Sequence, residues 1–431
     1  MTRSPKVAFF PEASFGAALN CVGIAQELRK LGATPVFICH PGFTGVFSEY
    51  GFGEFHLPER AANNAEAAED YWQDFINTHV PHFNLDPLAQ LPTYVRPAWE
   101  AIVDTVIAVE NDLARLLRQI QPDIIVLDNV IMFPAIANAG CPWIRIVSCA
   151  ETEIPDPAIP PYLSGLRPEE TTAIATFEAA YLEATGAVHR HYNRFRKTHG
   201  LAALPDAIFL ETSPVLNLIL APAAVRYARK ESLPADRFVF LEGCVRTEIQ
   251  FEAPRFPVDE GPLVYVSFGS LGAVDTDLIK RLMTVFRTIP ARFLINVGPL
   301  IEAYDQVPDN IHLGSWFPQP SVIEQAALVI HHGGNNSFCE ALYFGVPSLI
   351  MPYCWDGHDN AQRAEATGVG KRIARAGWSA DTLRADILAA LADGPSRHRL
   401  SEISHQMQQS PGTKVAAKAV IDALAQAAEA G

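Results

Sequence analysis

The residues best suited to chemistry lie between Trp316 and Gly370, where short apolar runs alternate with polar, glycine-bearing turns. The runs at 327–330 and 346–351 have the length and composition of buried parallel strands, and a helical pattern follows each of them. Because parallel strands end at the same edge of a sheet, we expect the turns at His332 and Asp356 to lie side by side. Ligands of doubly wound sheets bind at that edge. The spacing therefore predicts a site for a phosphorylated, sugar-bearing nucleotide.

Three side chains of this stretch suit the base and the ribose. Trp316 offers a flat face for a base, and stacking of a base on an aromatic ring contributes roughly 1–3 kcal/mol. Gln319 has amide groups that can read base or ribose edges, and Glu340 can accept hydrogen bonds from the two ribose hydroxyls. Trp316 also suits a hydrophobic core, so it indicates a nucleoside only together with the other two.

Other residues of the stretch suit the two phosphates. Gly334, preceded by Gly333, allows the backbone to approach a phosphate closely, and His332 can donate to a phosphate oxygen and assist a leaving diphosphate. Asn336 and Ser337 open a helix, whose free N–H groups and positive dipole end favour an anion. Alone, Ser337 is equally suited to cap the helix and His332 to be structural. As a group they predict a diphosphate site.

Composition limits the class of protein. The chain has 431 residues, which exceeds a single hydrophobic core, so two domains are expected. A formal charge of -15 argues against nucleic acid and anionic membranes as partners, since both require a basic surface. Seven scattered cysteines without CxxC spacing fit a reducing cytoplasm and exclude a structural zinc site. With no signal region and no apolar run of the ~20 residues that a membrane span needs, we expect a cytoplasmic protein without a span.

The first half of the chain opens with the pattern of a Rossmann-like domain. A strand at Lys6–Phe10, a loop from Glu12 to Gly16, a helix at 17–31 and a strand at 34–39 follow in order. The loop lacks the three glycines of a dinucleotide fingerprint, which argues against NAD. Asp128 ends a later apolar strand, where a functional carboxylate would stand, although capping of a helix near Ile131 is an alternative.

Aromatic residues crowd a long irregular segment between Pro41 and Trp99. Core packing explains any one of these rings, but as a set they suggest an apolar pocket or lid for a hydrophobic small molecule. The predicted organisation is an N-terminal domain at 1–244, a proline-rich linker at 245–262 and a C-terminal domain at 263–410. A last helix at 411–431 is expected to pack back on the N-terminal domain.

The motifs of the second half resemble the donor-binding signature of family 1 glycosyltransferases, which use UDP- or TDP-sugars to glycosylate small lipophilic molecules. The residues that carry the likeness are Trp316-Phe-Pro-Gln319, His332-Gly-Gly-Asn-Asn-Ser337, Glu340, Gly345-Val-Pro347, Pro352, Asp356 and Asn360-Ala361, with Val264-Tyr-Val-Ser-Phe-Gly-Ser270 before them. The resemblance implies the α/β GT-B fold, with two Rossmann-like domains facing each other across a cleft. It also implies an inverting glycosyltransferase with a hydrophobic, aromatic small-molecule acceptor.

The same resemblance implies roles for individual residues. Trp316 would stack on the uracil or thymine, Gln319 would read the base or ribose, and Glu340 would bind the ribose. The diphosphate would be held by His332, Asn336, Ser337 and Ser270, and Asp356 would hold sugar hydroxyls. The histidine and the helix end would neutralise the leaving group, so no metal and no further cofactor are expected.

Two departures from the family pattern bear on the chemistry. Gly357 stands where the family usually has a glutamine that contacts the sugar, which leaves the identity of the sugar open; His358 or Asp359 is a candidate to compensate. Alignment of the first helix puts the family's catalytic histidine at Ala17, while Asp128 matches the aspartate that orients it. We therefore expect another residue to serve as the base: Glu12, which we prefer, or Ser14 in the same loop, Asp128 itself, or a histidine of the aromatic segment.

Three other interpretations remain open at this point. An acceptor that is already ionised needs no base. A catalytically silent nucleotide-sugar binder would tolerate Ala17, and a GT-B nucleotide-sugar epimerase would share the donor motifs.

Overall fold

The computed structural model describes residues 3–58, 78–258 and 260–430. Contacts between Cα atoms divide the chain into two compact units. The first contains residues 3–58, Asp86–Arg246 and 410–430, and the second contains residues 78–85 and Thr247–Gln409. Each unit is built on one parallel sheet flanked by helices.

The sheet of the first unit has seven strands in the order β3-β2-β1-β4-β5-β6-β7. They are β1 (Lys6–Pro11), β2 (Thr34–Cys39), β3 (Gly53–His56), β4 (Ile124–Asp128), β5 (Trp143–Val147), β6 (Leu216–Leu220) and β7 (Phe238–Leu241). The central strands are continuous apolar runs because helices cover both faces of a parallel sheet. Every residue of β4, β5 and β6 is buried, including Arg145 in β5.

The helices of the first unit cover this sheet. They are α1 (Phe15–Lys30), α2 (Pro87–Gln90), α3 (Arg96–Ile120), α4 (Pro134–Ala137) and α5 (Thr171–Thr198). Ser14 caps α1, and the chain reverses after Leu31 at Gly32, which has φ +87°. Apolar residues recur along α3 at helical spacing, and those at Val106, Val109 and Leu113 are buried.

The sheet of the second unit has six strands in the order β10-β9-β8-β11-β12-β13. They are β8 (Leu263–Ser267), β9 (Arg292–Asn296), β10 (Ile311–Gly314), β11 (Leu328–His331), β12 (Ser348–Ile350) and β13 (Gly370–Arg372). Its helices are α6 (Gly269–Gly272), α7 (Thr276–Phe286), α8 (Gln319–Ile323), α9 (Asn335–Phe344), α10 (Gly357–Thr367), α11 (Ala380–Leu391) and α12 (Pro395–Gln409).

The last helix, α13 (Gly412–Ala430), belongs to the first unit and packs on α1, β6 and β7. Its small residues Ala416, Ala417 and Val420 are fully buried in the same core as Cys21 and Ile24 of α1. Small side chains let the two helices approach closely, and the alanine-rich sequence of α13 supplies them.

Most predicted elements occur within one to three residues of their predicted ends. The strands β3 and β13 were not predicted, because both are short and neither is a buried apolar run. Three of the aromatic residues of the irregular segment, Tyr71, Trp72 and Phe75, lie outside the described residues. Across the described parts of the chain, no helix combines the length and apolar composition needed to cross a membrane.

Candidate functional site

The two central strands of the second sheet, β8 and β11, mark the point where its strand order reverses. β9 and β10 continue from β8 on one side, and β12 and β13 continue from β11 on the other. His331 pairs in register with Ser267, so the loops after both strands leave the sheet at one edge. This position is where open α/β sheets form a ligand crevice. It brings together the predicted residues Ser270, on one loop, and His332, on the other.

His332 is held by its neighbours on this edge. Its ring stacks on that of Tyr353, with 5.2 Å between ring centroids, and a Cβ atom at Gly269 would lie 3.0 Å from the ring. Burial lowers the pKa of His332 to about 4; a hydrogen bond to the Ser267 backbone opposes this shift, and the Arg375 charge adds to it. The ring is therefore neutral at pH 7. A neutral ring still donates one N–H, so the role of His332 at the diphosphate stays a prediction that depends on a hydrogen bond and not on a full positive charge.

Close backbone contacts explain why position 357 is a glycine. A Cβ atom there would lie 2.6 Å from the carbonyl oxygen of His332, and one at Gly333 would lie 2.6 Å from the carbonyl oxygen of Gly357. Gly333 also has a φ angle of +94°, a backbone conformation that residues other than glycine rarely adopt. The two turns pack backbone against backbone, so position 357 has no room for the family's glutamine. His358 and Asp359, the candidates to compensate, are both buried.

Helix α9 begins at Asn335, two residues earlier than predicted, with Gly334 as its N-cap and no side-chain cap. Its first N–H is already occupied: the Asn335 N–H donates to Oδ2 of Asp356 at 3.0 Å, and the Asn360 side chain donates to the same oxygen at 3.0 Å. Asp356, which the resemblance assigns to sugar hydroxyls, therefore holds the start of α9 in this structure.

Gln319 links the residues predicted to bind the nucleoside. Its Nε2 donates to Oε2 of Glu340 at 2.6 Å and to Oγ of Ser337 at 3.1 Å, and its Oε1 accepts from the Tyr265 hydroxyl at 3.3 Å. Glu340 is completely buried. Ser337 is thus part of a polar network and is not the helix cap, which corrects the alternative interpretation of that residue.

Trp316 is one of the exposed residues among those predicted to bind the donor. It follows β10, and 52% of its surface is exposed. A core role is therefore wrong, and the ring is free to stack on a planar ligand. Ser270 lies exposed on the short helix α6, and Asn336 is half-buried in the first turn of α9.

The first sheet has an equivalent point of reversal between β1 and β4, and two carboxylates lie there. Glu12 follows β1, Asp128 ends β4, and the Glu12 N–H donates to the Asp128 carbonyl at 2.7 Å. Ser148, after β5, donates its hydroxyl to Oδ1 of Asp128 at 2.6 Å, and the Cys21 thiol lies 3.8 Å from Oδ2. Asp128 caps no helix, because α4 starts only at Pro134 and has Phe133 as its N-cap.

Both carboxyl groups are held partly or largely protonated near neutral pH. Burial raises the pKa of Glu12 to about 7, against a small opposing effect of a hydrogen bond with Ser14. The pKa of Asp128 is raised to about 8: burial is the largest cause and the Glu12 charge adds to it, while hydrogen bonds from Ser148 and Cys21 and the buried Arg145 charge oppose the rise. Glu12 is half-buried, so it is not a fully solvated loop carboxylate. Perturbed carboxyl pairs in a crevice are typical of acid–base sites.

Ala17 lies in the first turn of α1, 4% exposed, and its N–H donates to the capping Ser14 hydroxyl at 3.4 Å. The sequence reasoning missed another titratable group on this edge, His40, which immediately follows β2 and stacks on Phe10 with 5.3 Å between ring centroids. Burial lowers the pKa of His40 to about 4. The signal that would have found it is the one used for His332, a histidine directly after an apolar strand.

A cavity of about 440 Å³ lies within the first unit. Its described walls come from α3, the segments at 152–162 and 207–210, and α5. Val130, two residues after Asp128, also lines it. Of the aromatic residues in the segment predicted to form a pocket, only Trp99 is among its described lining residues. Half of the described lining residues come instead from the proline-rich loop after β5.

A separate group of potential metal ligands occurs on β2 and β3, where ligand atoms of Cys39, Glu54 and His56 lie within 4.8 Å of one another. The Glu54 carboxylate already accepts from the N–H groups of Gly45 and Phe47 at 2.9 and 2.8 Å, and from a third N–H beside them. We therefore assign Glu54 to holding this loop.

Comparison with known proteins supports the fold and the family resemblance. Residues 290–423 match the family described as erythromycin biosynthesis protein CIII-like, C-terminal domain. Among solved structures, the glycotransferase of kitacinnamycin is 21% identical with a TM-score of 0.66, covering 98% of this chain and 99% of that one. The glycosyltransferase VinC in complex with DTDP is 17% identical with a TM-score of 0.65, covering 99% and 100%. The chain has the GT-B fold.

The chain is also similar to curated proteins that are named as glycosyltransferases. Oleandomycin glycosyltransferase of Streptomyces antibioticus is 26% identical over 243 residues, which are 56% of this chain and 56% of the relative. Demethyllactenocin mycarosyltransferase of Streptomyces fradiae is 24% identical over 435 residues, covering 99% of this chain and 88% of the relative. The alignments to the first-ranked relatives span about half of their length. The resemblance to natural-product glycosyltransferases is confirmed.

Proposed function

We propose that this GT-B protein is an inverting glycosyltransferase, which moves a sugar from a UDP- or TDP-sugar to an apolar small-molecule acceptor. The observation that carries the proposal is the set of residues at the reversal point of the second sheet. There, His332 and the start of α9 follow β11, and the exposed Trp316 follows β10, at the carboxyl ends of strands of the same parallel sheet. The names of its relatives, and the DTDP complex of VinC, support a nucleotide-sugar donor.

In this proposal the nucleotide lies along that edge. Trp316 stacks on the base, and the Gln319–Glu340 pair binds the ribose once its internal hydrogen bond exchanges for ribose hydroxyls. The neutral His332 donates an N–H to a phosphate oxygen, and the positive end of the α9 dipole lowers the free energy of the departing diphosphate. Ser270, Ser337 and Asn336 supply further donors.

The acceptor hydroxyl loses its proton to one member of the Glu12–Asp128 pair, at the reversal point of the first sheet. As the acceptor oxygen attacks the anomeric carbon, the bond from that carbon to the diphosphate oxygen breaks, and the proton passes to Asp128 or Glu12. A positioned base contributes about 10²–10⁴-fold in rate. A pKa near neutrality suits this task, since the group is ionised in a useful fraction and still holds the proton after transfer. Direct displacement inverts the anomeric centre.

The cavity of the first unit is the proposed acceptor site. Its walls carry the aromatic and aliphatic side chains of Trp99, Tyr181, Phe209 and Ile159, which suit an apolar ring system. Val130 connects the cavity to the end of β4, so an acceptor bound there approaches the Asp128 loop.

The competing interpretation is a silent nucleotide-sugar binder, and Ala17 is the observation that favours it. Alanine at the family's histidine position takes no proton. The perturbed Glu12–Asp128 pair is the counter-observation, because a silent protein has no need of two neighbouring carboxyls whose pKa values lie near neutrality.

Steady-state kinetics against pH test the proposal. Release of UDP and TDP from their glucose conjugates is measured with a panel of phenols, for wild type, Glu12→Gln and Asp128→Asn, with Asp104→Asn on the exposed face of α3 as the matched control. Turnover should rise as pH rises through about 7–8, because the base must be deprotonated.

The two variants distinguish the members of the pair. If Asp128 is the base, Asp128→Asn loses about 10²-fold or more in kcat. Glu12→Gln then retains activity and shifts its profile to lower pH, because the Glu12 charge raises the Asp128 pKa. If Glu12 is the base, Glu12→Gln loses the activity instead. Tight nucleotide binding without transfer to any acceptor would refute the proposal in favour of the silent binder, and consumption of a UDP-sugar without acceptor would favour an epimerase.

A further inference from the structure

A buried arginine, Arg375, lies among the residues predicted to hold the diphosphate. It follows β13 by three residues and is 4% exposed. Its Cζ lies 5.5 Å from the centre of the Phe268 ring, after β8, and 5.1 Å from the centre of the Tyr353 ring, after β12. Tyr353 in turn stacks on His332. The guanidinium therefore packs on the two rings that belong to the loops of Ser270 and Asp356.

Only part of this guanidinium is engaged by the described residues. Its Nη2 donates to Oδ2 of Asp275 at 2.8 Å. Its Nε and Nη1 are buried, and neither has a hydrogen-bond partner in the described part of the chain. A buried donor without an acceptor is costly, so such a group in a native protein usually meets water or a ligand. Arg375 thus keeps donors for an anionic ligand.

The carboxylate that holds Arg375 is engaged on its other side. Oδ1 of Asp275 accepts from the Leu278 N–H at 3.0 Å and caps α7. The positive end of the helix dipole shares the negative charge of this carboxylate. Asp275 therefore fixes the guanidinium from one side, and one carboxylate does not saturate its donors.

The strand order gives the direction of the proposed donor along this edge. Trp316, proposed to hold the base, follows β10, and Asp356, predicted to hold the sugar, follows β12. Arg375 follows β13, which pairs with β12, and it contacts Tyr353 after β12. Of the two phosphates, the one that carries the sugar is therefore nearer to the guanidinium. The Arg375 charge also acts on His332, since it is one of the causes that lower the pKa of that ring.

A departing diphosphate needs more than a neutral histidine. When the bond from the anomeric carbon to the diphosphate oxygen breaks, the bonding electron pair stays on that oxygen and adds negative charge to the phosphate. A guanidinium stabilises such a charge through charge-assisted hydrogen bonds. We propose that Arg375 binds the sugar-bearing phosphate of the donor, which is the terminal phosphate of UDP or TDP, and supplies the full positive charge at this edge. The inference rests on the proposed function and adds a residue outside the donor signature.

Nucleotides that differ by one phosphate test the assignment. Dissociation constants of UDP, UMP, TDP and TMP are measured for the full chain at pH 7 by isothermal titration calorimetry. Arg375→Gln should weaken UDP and TDP binding by about 10- to 100-fold, and UMP and TMP binding by about 3-fold or less, because only the terminal phosphate loses its partner. Arg375→Lys keeps the charge and should recover part of the loss. Arg287→Gln, on the exposed end of α7, is the matched control and should keep the wild-type preference for diphosphates.

Asp275→Asn separates ligand binding from a structural role. It removes the same ion pair, keeps the Arg375 charge and leaves a side chain that also caps helices. If Arg375 binds the phosphate, Asp275→Asn should keep UDP affinity within about 3-fold. If Arg375 only holds Asp275, the loss should equal that of Arg375→Gln. Where Arg375→Gln fails to fold, the double variant Asp275→Asn/Arg375→Gln leaves no unpaired charge and gives the same comparison of UDP with UMP.

An equal loss for monophosphates and diphosphates in Arg375→Gln overturns the inference, as does unchanged UDP affinity. A preference for UDP-glucuronate over UDP-glucose that Arg375→Gln abolishes, with UDP binding unaffected, assigns the guanidinium to a sugar carboxylate and also overturns it. Turnover is measured separately. Sugar transfer by wild type, with a diphosphate preference that survives in Arg375→Gln, leaves the proposed function intact and refutes the inference. Arg375-dependent UDP binding without transfer to any acceptor refutes the proposed function and leaves the inference standing.

Discussion

Gly357→Gln restores the residue that related glycosyltransferases usually have, and we expect it to damage this protein. A Cβ atom at 357 would lie 2.6 Å from the His332 carbonyl oxygen, where ordinary contacts begin near 3.4 Å. The neighbouring atom is backbone, so it cannot rotate aside. The turns after β11 and β12 would have to separate, and His332 would move with its carbonyl.

The expected change in the free energy of unfolding of Gly357→Gln combines two opposing effects. Forcing extra atoms into a packed region costs about 1–3 kcal/mol. Replacing glycine within a helix gains at most about 1 kcal/mol, and less at position 357 because it opens α10. The net loss is therefore about 1–2 kcal/mol. For a unit of this size, that corresponds to a decrease in Tm of roughly 2–8 °C.

Differential scanning calorimetry of Gly357→Ala and Gly357→Gln measures this loss, and titration with UDP and TDP measures the effect of a displaced His332. Gly394→Ala is the matched control, because a Cβ atom there would have no neighbour within 4 Å. Both 357 variants should unfold at lower temperature and bind nucleotide more weakly. A Gly357→Gln protein as stable as the control, with improved use of UDP-glucose, would refute the steric explanation.

Three further predictions concern the second unit. Trp316→Ala should weaken UDP and TDP binding by about 5- to 150-fold with little change in stability, because the ring is half-exposed, and calorimetric titration checks both. Gln319→Ala should cost about 2–3 kcal/mol of unfolding free energy in urea, since it leaves the buried Glu340 carboxylate without its amide donor; an unchanged midpoint would contradict the network. Acidification from pH 7 to pH 5 should destabilise the unit, because burial lowers the pKa of His331 and of His358 to about 3. The unfolded chain then binds more protons than the folded one below pH 6.5, and His331→Gln should reduce the slope of the urea midpoint against pH.

The fold and the donor edge could be predicted from the sequence because their signals are local. Apolar runs of strand length alternate with helical patterns, and the turn residues between them follow at fixed spacing. The order of strands then places His332 and the loop of Ser270 at one reversal point. The helix start at Asn335 was misplaced by two residues, since Gly334 serves as N-cap without a side chain that marks the position.

Features that depend on contacts between distant segments could not be predicted. Nothing near Asp128 in the sequence shows that Ser148 donates to it, and nothing near Gly357 shows that Gly333 packs on its backbone. The cavity likewise combines α3, α5 and the loop after β5, so its walls were sought in the wrong segment. Burial, which moves the pKa of Glu12 to about 7, is also a property of the folded chain alone.

At both reversal points, burial favours the uncharged form of a titratable side chain. At the second sheet, burial keeps His332 neutral, and at the first sheet it keeps Asp128 largely protonated near pH 7. Burying an isolated charge costs several kcal/mol, so a buried titratable group in a free site is most stable in its uncharged form. In the proposed reaction the neutral ring of His332 is the form that acts, because it donates its N–H to a phosphate oxygen. At the first sheet the uncharged form cannot act, since Asp128 or Glu12 has to lose its proton before it serves as the base. Activity that rises with pH is therefore expected from the first sheet and not from His332.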